Sequence, residues 1–325
     1  MSAHAPITID VHLNNQDPAA IREEIRAGLL ETPRRLPTRY FYDDRGSELF
    51  EQICELPTYY PTRTEHALLK TVADDVVART GAEELVELGS GAATKTRTLL
   101  DAMARTKQLK FYVPFDVSEG IVRRVAHELV EEYEGLQVHG VVGDFLAHLE
   151  HIPQGGKRLV GILGGTIGNL RPESAAELLS SIEREMASGD FLLVGVQLIT
   201  DTDRLEAAYN DSVGLTAAFN KNMLRVLKSV IGVDFDLDAF DHVARFHAAE
   251  HRIEMRLRSV REQVIPIPDL ELTLHLKEGE EILTEISTKY TRDLAEAPLM
   301  HAGFTPVAWY TDPDHLHGLA LARKP

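Results

Sequence analysis

The run Glu87-Leu88-Gly89-Ser90-Gly91, preceded by apolar Leu85-Val86 and followed by a helix-like stretch, constrains the fold more than any other segment. A strand, a tight glycine turn and a helix N-terminus follow one another there. Glycine has no Cβ, so such a turn lets backbone N–H groups approach a nucleotide-like ligand closely. Later strand-like runs end in residues of the same kind. Phe115-Asp116 closes the run that starts at Lys110, Gly143-Asp144-Phe145 follows Val138–Val142, and Gly164-Gly165-Thr166-Ile167-Gly168-Asn169 follows Arg158–Leu163. Open parallel sheets bind ligands beyond the carboxyl ends of their strands, so four such ends in succession describe one crevice.

Hydrophobic periodicity supports this. Strands are expected at Leu85–Leu88, Phe111–Phe115, Val138–Val142, Arg158–Leu163 and Phe191–Val196, with helices at Thr94–Met103, Gly120–Tyr133 and Pro172–Met186. That alternation predicts an α/β fold, a Rossmann-like parallel sheet covered by helices on both faces. Ahead of it come helical patterns at Pro18–Leu30 and Thr64–Arg79, separated by a proline-punctuated, aromatic-rich section. From Leu198 to Ile286 the character changes. Leu205–Tyr209 and Thr216–Val230 look helical, Phe240–Phe246 is a short helix candidate, and Arg252–Ser259 alternates like a half-exposed antiparallel strand. Strands at Leu270–Leu276 and Ile282–Ile286, a helix at Arg292–Ala302 and a terminal antiparallel hairpin at Val307–Tyr310 and Leu319–Arg323 complete the pattern. The expected organisation is a cofactor domain over residues 63–198 and 288–325, and an α+β substrate domain over 14–62 and 199–287.

The residues after Gly91 are Ala92, Ala93, Thr94 and Lys95, without the third glycine of a dinucleotide site. This disfavours a nicotinamide-dependent oxidoreductase. S-adenosylmethionine has no phosphate and needs the close turn but not an anion cradle. Asp116 can accept both ribose hydroxyls, Asp144 can accept from the adenine amino group, and Phe145 offers a ring face. Taken singly, either aspartate could instead be a helix N-cap or turn residue.

The net charge of −17 argues against partners that present phosphate backbones or anionic membrane surfaces. No apolar run approaches the about 20 residues that span a bilayer, and no signal peptide is visible. Cys54, the single cysteine, excludes an intramolecular disulfide and reads as a small buried hydrophobe. A monomeric cytoplasmic enzyme acting on a small molecule, without nucleic-acid or membrane partners, is expected.

Over nearly its whole length the chain resembles the histidine Nα-methyltransferases of ergothioneine biosynthesis. The resemblance rests on Tyr40-Phe41-Tyr42-Asp43 with Gly46-Ser47-Glu48-Leu49-Phe50, on Leu56-Pro57-Thr58-Tyr59-Tyr60-Pro61-Thr62-Arg63, and on the glycine turn. It continues through Gly143-Asp144-Phe145, Thr166–Leu170, Thr216-Ala217-Ala218-Phe219-Asn220, Asp234–Asp238, Arg252–Met255 and Leu283-Thr284-Glu285-Ile286-Ser287. The resemblance implies a class I S-adenosylmethionine methyltransferase fold and three methyl transfers to the α-amino group of L-histidine, giving hercynine. It implies cofactor contacts at Gly89, Lys95, Asp116, Asp144 and Phe145. It implies histidine contacts at Tyr59, Asn169, Tyr209, Glu285 and Ser287, with Tyr42, Phe50, Gly164, Thr166 and Met255 in or near the pocket. Gly165 stands where members of that family usually carry serine, and Ala92-Ala93 replace more polar residues.

The chemistry suits this set. In-line displacement at a sulfonium methyl chiefly needs alignment and a neutral amine, and desolvation beside the sulfonium favours that form. No obligatory general base is visible; Tyr42 or Tyr59, through water, is the candidate. On a strand Glu285 and Ser287 share a face, so they could read the two ring nitrogens of an imidazole, though a solvated carboxylate and a turn serine would have the same spacing. Asn169 and Tyr209 offer donors to a substrate carboxylate, and Lys95 is either solvated or a contact to the donor's carboxylate. His242, His247, His251, His315 and His317 invite a metal, but no tight facing pair with a carboxylate appears, so none is expected. The alternatives are methyl transfer to another amino acid or amine such as tryptophan, which would need a roomier pocket at Met255 and Glu285, and a binding protein without turnover.

Overall fold

The computed structural model describes residues 6–13 and 17–325. In chain order its helices are α1 (Pro18–Leu30), α2 (Asp44–Glu55), α3 (Tyr60–Thr80), α4 (Arg97–Arg105), α5 (Glu119–Glu132), α6 (Pro172–Glu185), α7 (Thr202–Tyr209), α8 (Leu215–Ile231) and α9 (Arg292–His301). The strands are β1 (Ile7–Val11), β2 (Arg34–Arg35), β3 (Glu84–Leu88), β4 (Phe111–Asp116), β5 (Gln137–Val142), β6 (Arg158–Ile162), β7 (Phe191–Gln197), β8 (Phe240–His247), β9 (Arg252–Ser259), β10 (Gln263–Ile267), β11 (Leu272–Leu276), β12 (Glu281–Thr288), β13 (Thr305–Thr311) and β14 (His317–Arg323). The chain forms two compact units, one from Met1–Asn14, Pro61–Ile199 and Lys289–Pro325, the other from Asn15–Tyr60 and Thr200–Thr288.

The first unit is built on an eight-stranded sheet in the order β1-β5-β4-β3-β6-β7-β14-β13. Strands β1, β3, β4, β5, β6 and β7 run parallel, and β14 inserts antiparallel between β7 and β13. Every residue of β3, β6 and β7 is buried, because helices cover both faces. Alternate side chains feed two cores. Leu85, Tyr112 and Leu159 pack with Leu69, Val76, Leu99 and Val125 from α3, α4 and α5. Val86, Val113 and Val160 pack with Leu178 and Ile182 of α6 and Leu299 of α9. After β3 the chain moves outward to β4 and β5, then returns to place β6 on the opposite side of β3. That reversal is the topological switch point where open α/β sheets open a ligand crevice. Strand β1, which pairs with β5, is absent from the sequence expectation: five residues at a half-exposed edge carry too short an alternation to register.

In the second unit a four-stranded sheet, β2-β12-β9-β8, accompanies the two-stranded β10-β11 pair and helices α1, α2, α7 and α8. Helix α8 buries Phe219, Met223, Leu224 and Leu227 and ends at Gly232, whose left-handed backbone (φ 66°) caps it on the Lys228 carbonyl. The expected helix over Phe240–Phe246 is instead strand β8, paired residue for residue with β9. Its buried residues, Phe240 and Ala244, lie four apart, a spacing common to both periods, and the ladder to β9 decides the outcome.

The Asp43–Phe50 motif is a helix start under steric control. Asp43 caps α2 by accepting from Gly46 N at 2.7 Å, and also accepts from Asn222 Nδ2 of α8 at 2.7 Å. A Cβ on Gly46 would lie 1.6 Å from the Phe41 carbonyl oxygen, so only glycine fits without a backbone shift. Gly46→Ala should therefore lower the unfolding free energy by about 2 kcal/mol or more, read by urea denaturation. Unchanged or increased stability, as expected of a solvent-facing helix glycine, would contradict the packing.

Candidate active site

At the end of β3 the backbone turns through Gly89 (φ 73°) and Gly91 (φ 48°), both in the region glycine alone enters freely. A side chain on Gly89 would come within 3.6 Å of Thr166 and 4.0 Å of the Phe145 ring, so the turn lies against the loops following β6 and β5. Asp116, at the end of β4, accepts from Gly91 N at 2.9 Å and Ser118 N at 3.0 Å, and desolvation raises its pKa. Asp144 accepts from Leu146 N at 2.9 Å, and Phe145 meets Phe115 edge to face at 6.5 Å. Asp116 thus ties the Gly91 turn to the end of β4, and Asp144 holds a local turn at the end of β5.

Beyond β6, Gly164 (φ 75°) and Gly165 (φ 71°) are consecutive left-handed residues, followed by a single turn over Thr166–Asn169. Thr166 donates to the Leu163 carbonyl at 2.8 Å. A Cβ on Gly165 would also stand 3.2 Å from Gln197 Nε2, so glycine suits this backbone better than the serine usual in the family.

Beneath these loops lies a fully buried carboxylate that the sequence reading missed. Glu65 of α3 accepts from Gly164 N at 2.8 Å on both oxygens, pairs with Lys95, and lies 3.0 Å from His317 Nε2 of β14. Lys95 and the neighbouring imidazole hold the Glu65 carboxyl far below the ordinary range, against the opposing push of burial. Lys95 is therefore no solvated surface residue. One sequence signal was available: Glu65 falls in register with Leu68, Leu69 and Val72, on the apolar stripe of α3. A second buried acid, Glu87, behaves oppositely. Desolvation lifts its pKa to about 7, and its Oε2 accepts from Thr96 at 2.6 Å and Tyr112 at 2.7 Å.

In the second unit, Tyr42, Phe50 and Tyr59 meet edge to face at 5.9 and 6.1 Å, and Tyr59 meets Tyr209 likewise at 6.1 Å. The Tyr209 hydroxyl lies 2.8 Å from Ser287 Oγ. Glu285 and Ser287 are both buried on β12, and Met255 of β9 pairs in register with Glu285. A bulge interrupts that ladder between Leu283 and Glu285, where Thr284 donates to the Met255 carbonyl at 2.9 Å. Bulges re-aim side chains, and this one immediately precedes Glu285. Burial, with Tyr209 and nearby ionisable groups including Glu285, pushes the Tyr59 phenol well above its ordinary value; the hydroxyl stays protonated at neutral pH and is no ready base.

The histidines named in the sequence are dispersed. His317 joins Glu65, and His242 is held by Asn220 and the Tyr209 carbonyl. His247, Glu250 and Glu254 have ligand-type atoms within 4.8 Å of one another, but Arg252 and Arg256 occupy both oxygens of Glu254.

Residues 21–324 match the family described as histidine-specific methyltransferase, S-adenosylmethionine-dependent. The chain belongs to that family. It is 47% identical to the histidine N-alpha-methyltransferase of Mycolicibacterium smegmatis, covering 93% of this chain and 94% of that one. Identity to the enzyme of the same name from Mycobacterium tuberculosis is 45%, over 94% and 95%. Ergothioneine biosynthesis protein 1 of Neurospora crassa is 28% identical over 98% of this chain, which spans 36% of that longer protein. The parallel sheet with its terminal antiparallel hairpin is accordingly a class I methyltransferase fold. The crossing at Gly89, where a Cβ would abut Thr166 and Phe145, and the carboxylate of Asp116 at the next strand end fit a nucleoside-bearing methyl donor.

Glu87 provides a test of this interior. Folded, its carboxyl titrates near 7; unfolded, near 4.5. Its stabilising contribution is therefore fully present below pH 4.5 and is lost as pH rises through about 7. The Tm of Glu87→Gln relative to wild type should rise steadily from about pH 5 to about pH 8, followed by calorimetry. Parallel Tm curves would show that Glu87 does not titrate in that window.

Proposed function

We propose that the chain transfers methyl groups from S-adenosylmethionine to the α-amino nitrogen of L-histidine, three times in succession, giving hercynine for ergothioneine formation. The observation that carries this reading is the buried Glu285–Ser287–Tyr209 set opposite Met255, in a chain whose relatives at 45–47% identity are named histidine N-alpha-methyltransferases.

In this reading the first unit holds the donor and the second holds the substrate ring. Gly89 admits the nucleoside, Asp116 accepts its ribose hydroxyls, Asp144 and Phe145 hold the adenine, and Lys95 attracts the donor's carboxylate. When bound, S-adenosylmethionine supplies an electrophilic methyl on a sulfonium. Glu285 accepts one imidazole N–H and Ser287 pairs with the other ring nitrogen, while Asn169 and Tyr209 donate to the substrate carboxylate. Gly164 and Thr166 line the amine end. A tryptophan indole lacks the second ring nitrogen and could not engage Glu285 and Ser287 together, a mismatch that costs about 10⁴-fold in sites of this kind.

The residues' work is alignment and desolvation. Well-oriented reactants save roughly 7–11 kcal/mol of the barrier, and a dry, aromatic surround favours the unprotonated amine. Tyr42, Phe50 and Tyr59 present ring faces to an ammonium whose charge becomes permanent at the third transfer. No side chain is assigned as an obligatory base.

The test is incubation of the pure chain with S-adenosylmethionine and an equimolar amino-acid mixture, followed by mass spectrometry. Histidine alone should gain methyl groups, ending at three. A gain on tryptophan, or on no amino acid, would overturn the substrate assignment.

A further inference from the structure

The Thr216–Asn220 motif, and His242 with it, have no part in the chemistry above, yet the two meet. Asn220 of α8 is fully buried, and its Nδ2 donates to the Arg256 carbonyl at 3.0 Å and to His242 Nδ1 at 2.9 Å. The Arg256 carbonyl can only accept, which fixes the amide with its nitrogen toward both partners. Nδ1 of His242 must then accept, leaving the ring proton on Nε2. That nitrogen lies 2.8 Å from the Tyr209 carbonyl, again an acceptor only. Both neighbours therefore select the same neutral tautomer. Burial also pushes the imidazole below its ordinary pKa, outweighing Asp211 and assisted by Lys221, the charged groups that face it.

We propose that His242, set in one tautomer by Asn220, is a positioning residue that fixes Tyr209 and, through it, Ser287 for reading the substrate imidazole. The proposal rests on the assignment of Tyr209 and Ser287 as substrate contacts made above. Tyr209 is the last residue of α7, where helix carbonyls have lost their intrahelical donors. His242 supplies that missing donor from β8, and Asn210 Nδ2 binds the Ala244 carbonyl of the same strand at 3.0 Å. The Tyr209 side chain reaches Ser287 on β12. Strand β9 separates β8 from β12, so the tyrosine bridges about 10 Å of sheet, anchored at its backbone by the edge strand β8 and at its hydroxyl by β12. An unanchored helix end would let the phenol swing away from Ser287. The serine would then lose the partner that orients its hydroxyl.

His242→Phe removes both nitrogens, whereas in His242→Gln the amide nitrogen can still donate toward the Tyr209 carbonyl. Steady-state kinetics with histidine and calorimetric titration with S-adenosylmethionine separate the two ligands. The Phe variant should raise KM for histidine about tenfold while donor affinity stays within about twofold, and the Gln variant should recover most of that loss. In a Tyr209→Phe background His242→Phe should have no further effect on KM. If the Phe variant fails to fold, His242→Asn, whose amide is too short to reach the Tyr209 carbonyl, takes its place in the same cycle. An unchanged KM, equal damage to both ligands, or additive effects of the damaging His242 substitution and Tyr209→Phe would overturn the proposal. A wild-type chain that binds no histidine would instead overturn the pocket assignment on which it rests.

Discussion

One buried carboxylate organises the loops of the parallel sheet. Glu65 has no access to solvent, and an ion so placed persists only when charge and hydrogen bonds surround it. It draws its partners from three other places in the chain: Lys95 beyond the glycine turn, the Gly164 amide beyond β6, and His317 on β14. These flank the switch point of the sheet, so the loops after β3 and β6 are held to α3 by a single side chain. The Gly89–Gly91 turn is held by the Phe115 carbonyl and the Asp116 carboxylate. Gly164, by contrast, is tied directly to Glu65 and stands beside Lys95.

The second unit reaches order by another route. Its polar groups stand on a sheet rather than on loops, and strands hold side chains more precisely than loops do. The bulge before Glu285, the ladder that sets Met255 opposite it, and the neighbouring Tyr59, itself packed on Phe50, accompany the burial of that carboxylate. Such surroundings strengthen every hydrogen bond made there and penalise every one left unmade, and in the proposed function that penalty is what selects a ring with two nitrogens.

Much of this was legible in the sequence, for physical reasons that differ by element. Parallel strands buried on both faces are continuous apolar runs, and the glycine turns behind them admit few other conformations, so β3 to β7 and the loop residues Gly89, Asp116 and Asp144 stand out. The i, i+2 spacing of Glu285 and Ser287 places them on one face, and both are buried on β12. The failures occur where tertiary contacts override local pattern. Phe240–His247 has a spacing compatible with helix and is a strand only because β9 lies beside it. Ile7–Val11 is too short to announce itself. Lys95 looks like a surface lysine until Glu65 is seen beside it, and nothing local reveals that pair, since thirty residues separate its members.

The most direct measurement is a crystal structure of the chain with S-adenosylhomocysteine and L-histidine bound together. The imidazole nitrogens should lie within about 2.7–3.2 Å of Glu285 and Ser287, with the adenosine against Gly89 and its ribose on Asp116. A histidine ring bound elsewhere, or adenosine remote from the Gly89 turn, would contradict the account.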